Sequence, residues 1–519
     1  MGTPYAGPYG WKYHPWVKEI LDSEATLNVT LKSAQAGLTE VAINRALWTI
    51  DTRQLNVLYV LPTKGNASDF SKDRFDGALH LSPYIKNIFT STNTVGLKKA
   101  GATSLYIRGS RSDNDLKSVP AAVLILDEYD EMKLRSIKLA EERLSGAVDK
   151  ETWKISTPTI PGFGVSLEYL TTTQEHFTFE CPSCSRWTEL TFPECLEVRG
   201  DSVNDPRTHE SFLKCKECNS ELPQEIKYEW LAGGTWRPTH TNGDPDRRGF
   251  CINQLYSSTI TPQQLAVAYL EAQLSEAANQ EWHNSKLGLP FLGESSRISD
   301  QQITNALRDY RRGTLQPQAG QNRLITLGID QGKIGYWIAI EWTFESRGRD
   351  VTSLAHAKIL DYGKFQQQEQ GWDRPHELMR EWQVRHCVVD ADPEISDARR
   401  FAKAYPEFVH LSRYRSGVKG KAMSITDEDT DAPMATSDRT HWVGETLGKF
   451  RRGMVELPAD ASDEFKEHMQ ALVKRYEKDK ETGDTLAKFV SVGPDHWAHC
   501  FVYAFQAMAI AMENHTENI

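Results

Sequence analysis

The 519-residue sequence predicts an α/β fold in two parts, and four stretches carry that expectation. Residues 26–50 (TLNVTLKSAQAGLTEVAINRALWTI) pass from strand-like alternation through small residues into helical periodicity. Residues 119–132 (VPAAVLILDEYDEM) are an apolar run ending in Asp127 and Glu128. Residues 324–344 and 386–392 add strand-length apolar runs that carry Asp330, Asp390 and Asp392 at or near their ends.

In the first stretch Leu27, Val29 and Leu31 alternate, and Val41, Ile43, Ala46, Leu47 and Ile50 recur at helical spacing. Between them lies Lys32-Ser33-Ala34-Gln35-Ala36-Gly37-Leu38-Thr39, which offers successive backbone N–H groups and a helix start to an anion: a phosphate loop. It departs from Gly-x4-Gly-Lys-Ser/Thr, because Leu38 stands where the lysine belongs and a lysine opens the loop instead. Either the loop is a decoy or Lys32 reaches the phosphates from the opposite side.

The run before Asp127 suits a parallel strand buried on both faces. Acids at its carboxyl end lie where open α/β sheets bind ligands. There Asp127 would hold Mg²⁺ through water, Glu128 would orient and deprotonate the attacking water, and Thr39 would ligate Mg²⁺ directly. The plainer readings are solvated acids capping a strand end and an exposed strand-end lysine. The phosphate loop upstream favours an ATP-type site.

Sixty basic and 71 acidic residues give a net charge of −11, so any DNA contact must come from local basic patches. Hydrophobic residues at 39% and charged ones at 25% predict a soluble folded chain of two or more domains. No secretory signal is visible, and the longest apolar tract (residues 500–512) contains Gln506 and is too short for a bilayer, which predicts an intracellular protein without membrane contact.

Strands are expected at 56–62 and 153–157, then a break at the cysteines. Helical periodicity returns over 262–286, with Leu265, Ala268, Tyr269, Ala272 and Leu274 as an apolar stripe. The expected division is 1–175, a phosphate-loop core; 176–225, a zinc-ribbon-like insertion; 226–294, its helical remainder; 295–322, a polar linker; and 323–519, a second α/β domain. Cys181-x-x-Cys184 and Cys215-x-x-Cys218 form two knuckles whose four thiolates suit a closed, structural Zn²⁺ site. Cys195, Cys251, Cys387 and Cys500 are expected as small core residues.

In the last part residues 324–344 predict a hairpin with Asp330 near its turn. Asp495 would start a helix, with His499 one turn on. Acids from two strand ends and a helix start can gather a pair of Mg²⁺ or Mn²⁺ ions around a phosphodiester, which supports an RNase H-like nuclease. Asp495 is the expected third acid and His499 the second choice; each acid taken alone reads better as a solvated cap than as a metal ligand. The basic stretch 411–422, with Arg413, Arg415, Lys419 and Lys421, is either a phosphate grip or a solvated loop.

Together these motifs resemble the large terminase subunit of tailed double-stranded-DNA bacteriophages, particularly the lambda-type group. The resemblance rests on KSAQAGLTE, FSKDR at 70–74, LILDEYD, STPT at 156–159, the double Cys-x-x-Cys, VVDADPE, DRTHW at 438–442 and GPDHWAH at 493–499, in that order. It implies an ATP-driven packaging motor of RecA/ASCE-like fold joined to an RNase H-like endonuclease that cuts concatemeric DNA. By position, Lys32, Gly37 and Thr39 would hold phosphates and Mg²⁺, Glu128 would be the catalytic base, and Ser156 and Thr157 would match the coupling motif. Arg74 would be the arginine finger, with Arg108 and Arg111 as alternatives, and Asp330, Asp390 and Asp495 the nuclease acids. The implied partners are double-stranded DNA, the portal protein of the procapsid, the small terminase subunit and further copies in a ring. The implied place is the host cytoplasm, transiently docked on the procapsid. Tyr13 and Trp16 are candidate adenine-stacking aromatics. With little sequence ahead of Trp11, no separate small-subunit-binding domain is expected there.

Two other readings stand beside this one. A DExx-type helicase or translocase with a fused nuclease would need a second RecA-like lobe, and no helicase motif follows residue 323. A zinc-containing nucleic-acid-binding scaffold with an inactive phosphate loop is kept open by Leu38.

Overall fold

Continuous apolar strands early in the chain assemble into a largely parallel sheet, and the later hairpin belongs to a second sheet. The computed structural model describes residues 10–89, 92–117, 119–316, 322–344, 354–366, 372–415, 422–426, 432–478 and 484–516. Lys419 and Lys421 of the basic stretch, and residues 317–321 of the expected linker, lie outside them. The chain divides into two units, Met1–Gly293 and Glu294–Ile519. No helix among the described residues is long and apolar enough to cross a membrane.

In the first unit six strands run parallel in the order Arg247–Ile252, Leu27–Lys32, Glu151–Ser156, Val123–Asp127, Val57–Leu61 and Thr103–Gly109. Every residue of Val123–Asp127 is buried, as two covered sheet faces require. Register brings Leu31 beside Ser156 and Asp127 beside Ile155, so Lys32, Ser156 and Asp127 end at one edge. The expected strands at 56–62 and 153–157 appear as Val57–Leu61 and Glu151–Ser156.

The cysteine region is joined to this sheet rather than hung beside it. Strand Glu175–Glu180 pairs with Arg247–Ile252 and with Thr235–Pro238, and its Phe177 and Phe179 enter the same apolar core as Cys181 and Cys215. The helical stripe at 262–286 is broken: Pro262–Ala272 and Glu276–Glu281 are α-helices, followed by a π-turn at Trp282–Lys286. Leu265 and Ala272 are buried, but Leu274 lies beyond the first helix and is 79% exposed, so it is not part of the stripe.

The second unit centres on strand Arg323–Asp330, flanked by antiparallel Ile334–Thr343 and parallel His386–Asp390. His356–Gln366 follows on one side and Val409–Tyr414 on the other. Three antiparallel strands and two parallel ones, in chain order 3-2-1-4-5, give the mixed sheet expected of an RNase H-like fold. Residues 294–316 pack into this unit: helix Asp300–Ala306 buries Ile303 and Ala306, and Ile298 joins the same core. The segment is polar on one face only, which its composition alone concealed. The long helix His496–Thr516 lies against the Asp330 strand, with Cys500, Phe501, Ala504 and Phe505 in the core. Cys195, Cys387 and Cys500 are buried core residues as expected, while Cys251 is half-buried.

Candidate functional site

The phosphate loop takes its shape from two left-handed residues. Gln35 has φ +60° and Gly37 φ +83°, and such residues turn successive N–H groups into one concavity. Gly37 precedes helix Leu38–Trp48, and a Cβ there would lie 3.3 Å from the His14 ring as well as straining φ. The Ser33 N–H donates to the Ile252 carbonyl (2.9 Å) and the Ala34 N–H to the Ser285 carbonyl (2.8 Å). Ser33 and Ala34 therefore anchor the loop, and what Ser33 retains is a buried hydroxyl without a hydrogen-bond partner. From Gln35 to Thr39 no backbone N–H has an acceptor among the described residues. That is the donor set of an anion cradle.

Lys32 is buried and turns toward the acids. Its Nζ lies 2.7 Å from Glu128 Oε1 and 3.7 Å from Asp127 Oδ1. Burial alone would lower its proton affinity; the two carboxylates outweigh this and raise it. Asp127 is fixed by the Tyr59 hydroxyl, which donates to Oδ2 at 2.8 Å, and by the Glu128 N–H at 3.1 Å. Glu128 sits at φ +61°, a conformation costing about 1–2 kcal/mol that swings the chain at the strand end. Burial pushes the Glu128 carboxyl up, Lys32 opposes this, and Asp127 adds to it.

Ser156 ends the strand between the Lys32 and Asp127 strands, and its hydroxyl accepts from the Asp130 N–H at 3.2 Å. Arg74 lies on the π-turn Phe70–Phe75, with Nη2 2.6 Å from Glu40 Oε1 in the first turn of the phosphate-loop helix. Arg108 is engaged by the backbone carbonyls of Asp115, Gly96 and Ile107, and Arg111 is exposed. Trp16 is 2% exposed, and its Nε1 donates to the Ala36 carbonyl, so it props the loop from inside the core and has no open face for a base. Tyr13 packs edge-on against Tyr228.

In the second unit Asp330 and Asp390 end neighbouring parallel strands, one step beyond the Ile329–Val389 pair. Burial and the Asp330 charge push the Asp390 carboxyl up to about 6, against the Asp392 N–H that donates to it. Asp495 sits immediately before helix His496–Thr516 and pairs with His499 Nε2 at 3.2 Å, one turn on. It also accepts from the Ser491 hydroxyl. Burial works against its charge, but His499 holds Asp495 down at about 2. His499 Nδ1 shares a 3.1 Å hydrogen bond with the Tyr414 hydroxyl.

Asp330 is held by a residue that the sequence reading passed over, His496, next to Asp495 in the chain. His496 Nδ1 lies 2.7 Å from Asp330 Oδ2, its ring stacks on Tyr336 at 4.3 Å, and both acids act on its charge. Gln331 is a second such residue: its Nε2 donates to the Asp390 carbonyl at 2.8 Å, and its buried Oε1 has no partner. The adjacency of His496 to Asp495 in GPDHWAH was the available signal; nothing in sequence marked Gln331. The ligand oxygens of Asp330, Asp390 and Asp495 do not all fall within 4.8 Å of one another. Arg413 of the basic stretch is held by both oxygens of Asp392 (2.9 and 3.1 Å), while Arg415 is exposed.

Among the described residues, the one group of three or more metal-ligating side chains gathered that closely is Cys181, Cys184, Cys215 and Cys218. The two knuckles repeat the same bonds. Ser183 and Glu217 donate N–H to the first sulfur of each pair, at 3.4 Å. Ser185 and Asn219, both with left-handed φ, donate to the first cysteine's carbonyl at 2.9 and 2.8 Å. Four thiols presented by twin turns can enclose a tetrahedral ion.

Two family models match the chain: phage terminase large subunit gpA, ATPase domain, over residues 4–236, and terminase large subunit gpA, endonuclease domain, over residues 247–387. Asp330 lies inside the second match; Asp390 and Asp495 lie beyond its end. No curated protein matches in sequence. Among solved structures, the HK97 bacteriophage large terminase is similar at 10% identity over 93% of this chain and 91% of that one, with a TM-score of 0.44. The large terminase of a thermophilic bacteriophage is similar at 11% over 97% and 100%, with a TM-score of 0.34. At these values the likenesses carry no part of the assignment, which rests on the two family models and decides against the helicase and scaffold readings. The chain belongs to the gpA-type large subunits of phage terminase, an ATPase joined to an endonuclease that packages and cleaves phage DNA.

Proposed function

We propose that Lys32, the backbone from Gln35 to Thr39, Asp127 and Glu128 bind and hydrolyse ATP, and that Asp330, Asp390 and Asp495 cut duplex DNA with a divalent metal. The observation that carries the first half is the Lys32–Glu128 contact of 2.7 Å beside an open row of loop N–H groups. It supports the view that a lysine at the head of the loop reaches the place where Leu38 cannot. Thr39 and Asp127 would hold Mg²⁺, which when bound offsets charge on the transferring phosphate. Lys32 binds phosphate oxygens, Asp127 stays oriented by Tyr59, and Glu128, with raised proton affinity, accepts the proton of the attacking water. Arg74 is the arginine-finger candidate best supported by position, and Ser156–Thr157 couples hydrolysis to DNA movement.

For the nuclease, the carboxylate oxygens of buried Asp330 and half-buried Asp390 at neighbouring strand ends form a hard donor set that suits Mg²⁺ or Mn²⁺. The metal would stabilise the attacking and leaving oxygens of the phosphodiester. Asp495 completes the set, His499 orients it, and His496 orients Asp330. As a phage DNA-packaging protein the chain acts in the host cell; docking on the procapsid portal, contact with the small terminase subunit and assembly into a ring belong to the proposal. The test is one purified chain assayed twice: DNA-stimulated ATP hydrolysis with Mg²⁺, and plasmid cleavage with Mn²⁺. Absence of the first, even with procapsids present, removes the motor assignment of these residues, and absence of the second removes the nuclease assignment.

We further propose that the four cysteines hold one structural Zn²⁺, with no open position for chemistry. Because Cys181 and Cys215 also pack into the core of the first unit, metal loss should destabilise that unit. Cys181→Ser is expected to bring the zinc content from about one per chain to near zero. It should also lower Tm by about 5 °C or more. Elemental analysis and calorimetry check this, and wild-type protein purified without stoichiometric zinc would sink it.

A further inference from the structure

Thr159, at the end of the coupling segment, has every polar group engaged, and its partners lie on two different parts of the first unit. Its N–H and Oγ1 both donate to Asp130 Oδ2, at 2.9 and 2.8 Å. Its carbonyl accepts from Asn284 Nδ2 at 2.8 Å and from the Phe291 N–H at 3.0 Å. Asp130 stands two residues after Glu128 and is 4% exposed. It also accepts from the Val165 N–H at 2.7 Å, while the neighbouring Tyr129 hydroxyl donates to Glu168, which pairs with Lys154. The turn that carries Glu128 is thus tied through Asp130 to Thr159 by two hydrogen bonds.

The other side of Thr159 leads back to the nucleotide. Asn284 and Ser285 lie on the π-turn Trp282–Lys286, an insertion of the kind often found at functional positions. Trp282, 1% exposed, seats the turn between Phe192 and Tyr269. The Ser285 carbonyl takes the Ala34 N–H of the phosphate loop, and the second amide proton of Asn284 goes to the Leu289 carbonyl at 2.9 Å. Gly288, at φ +64°, lies so close that a Cβ would sit 2.7 Å from the Ile252 carbonyl and 2.9 Å from the Ser33 nitrogen. One stretch of ten residues, 282–291, therefore touches both the phosphate loop and the coupling segment. Two residues later the chain leaves the first unit.

We propose that Asn284 is a positioning residue: it straps Thr159 to the phosphate-loop anchor at Ser285, so that the nucleotide-dependent position of the Glu128 turn is passed to residues 284–293. Its side chain touches no substrate; it acts through the Thr159 and Leu289 carbonyls. The proposal rests on the assignment of Lys32 and Glu128 to ATP hydrolysis given above, and it adds where that site's state is sent.

Hydrogen–deuterium exchange on the full chain, with and without ATPγS and Mg²⁺, tests it. In wild type, nucleotide should change exchange of the 284–293 amides by about threefold or more. Asn284→Ala should cut that difference by about half or more, the Phe291 N–H bond to Thr159 remaining, while ATPγS affinity stays within about threefold of wild type. Asn284→Asp, which keeps the volume but removes the donor, should behave alike if the alanine variant folds poorly. A wild-type segment indifferent to nucleotide, or an Asn284→Asp chain that responds as fully as wild type, overturns the strap. Glu128→Gln separates the two claims: it should lose hydrolysis and keep the exchange response, and undiminished hydrolysis there would count against the catalytic assignment alone.

Discussion

Lys32→Ala is expected to lower DNA-stimulated ATP hydrolysis by about 10²–10³-fold, the largest effect of any single change in the first unit. The reason is geometric. Lys32 closes one strand, Asp127 and Glu128 close another, and the Ser156 strand between them sets the gap that the lysine bridges at 2.7 Å. Alanine removes the buried cation and leaves two adjacent carboxylates without it, so both phosphate binding and the orientation of Glu128 suffer. A ring of neutral N–H groups from Gln35 to Thr39 remains, which is why nucleotide binding should weaken less than turnover. Leu38→Lys, which restores the common loop pattern, is not expected to rescue the variant, because position 38 opens the helix and is itself buried. Steady-state kinetics with and without DNA decide the matter: turnover within tenfold of wild type would show that the loop lysine is a bystander.

Asp330→Ala should abolish Mn²⁺-dependent plasmid cleavage while leaving ATP hydrolysis at its wild-type rate. Loss of one hard ligand from the proposed divalent-metal centre would remove about 4 kcal/mol of barrier lowering, roughly 10³-fold in rate. Asp330 also holds His496 Nδ1 at 2.7 Å and lies beside Asp390, so its removal loosens both supports of the site at once. Asp330→Asn keeps the shape and a hydrogen-bond acceptor for His496 but not the charge, and it should fail as completely. Cleavage that persists in both variants would reassign the cutting centre. The independence of the two activities follows from the division of the chain, since Asp330 belongs to Glu294–Ile519 and Lys32 to Met1–Gly293.

Local order decided how much was legible in advance. The strand Val123–Asp127, the hairpin around Asp330 and the start of the helix after Asp495 follow from apolar periodicity and position, and all appear where expected. The two knuckles were legible for the same reason, since each is a turn of a few residues whose bonds close on themselves. The polar stretch beginning at 295 was misleading. Its Gln- and Arg-rich composition conceals Ile298, Ile303 and Ala306, which are enough to fix one face of a short helix in the second core. Trp16 was misleading in the opposite sense: an aromatic near a nucleotide loop suggests stacking, yet its Nε1 supports the loop's backbone from within.

Residue order alone tells which chemical groups the chain owns and at which ends of which elements they stand: a lysine and two acids at strand termini, four cysteines in turns, three acids in the second unit. Those are consequences of neighbours within a few residues, where backbone period and side-chain chemistry are read directly. Which groups meet is set by the packed fold: Tyr59 on Asp127, Asp130 on Thr159, Asn284 across 125 positions to the same threonine, and His496 on Asp330. Such contacts depend on strand order and on helix packing against a sheet, and no local pattern encodes either.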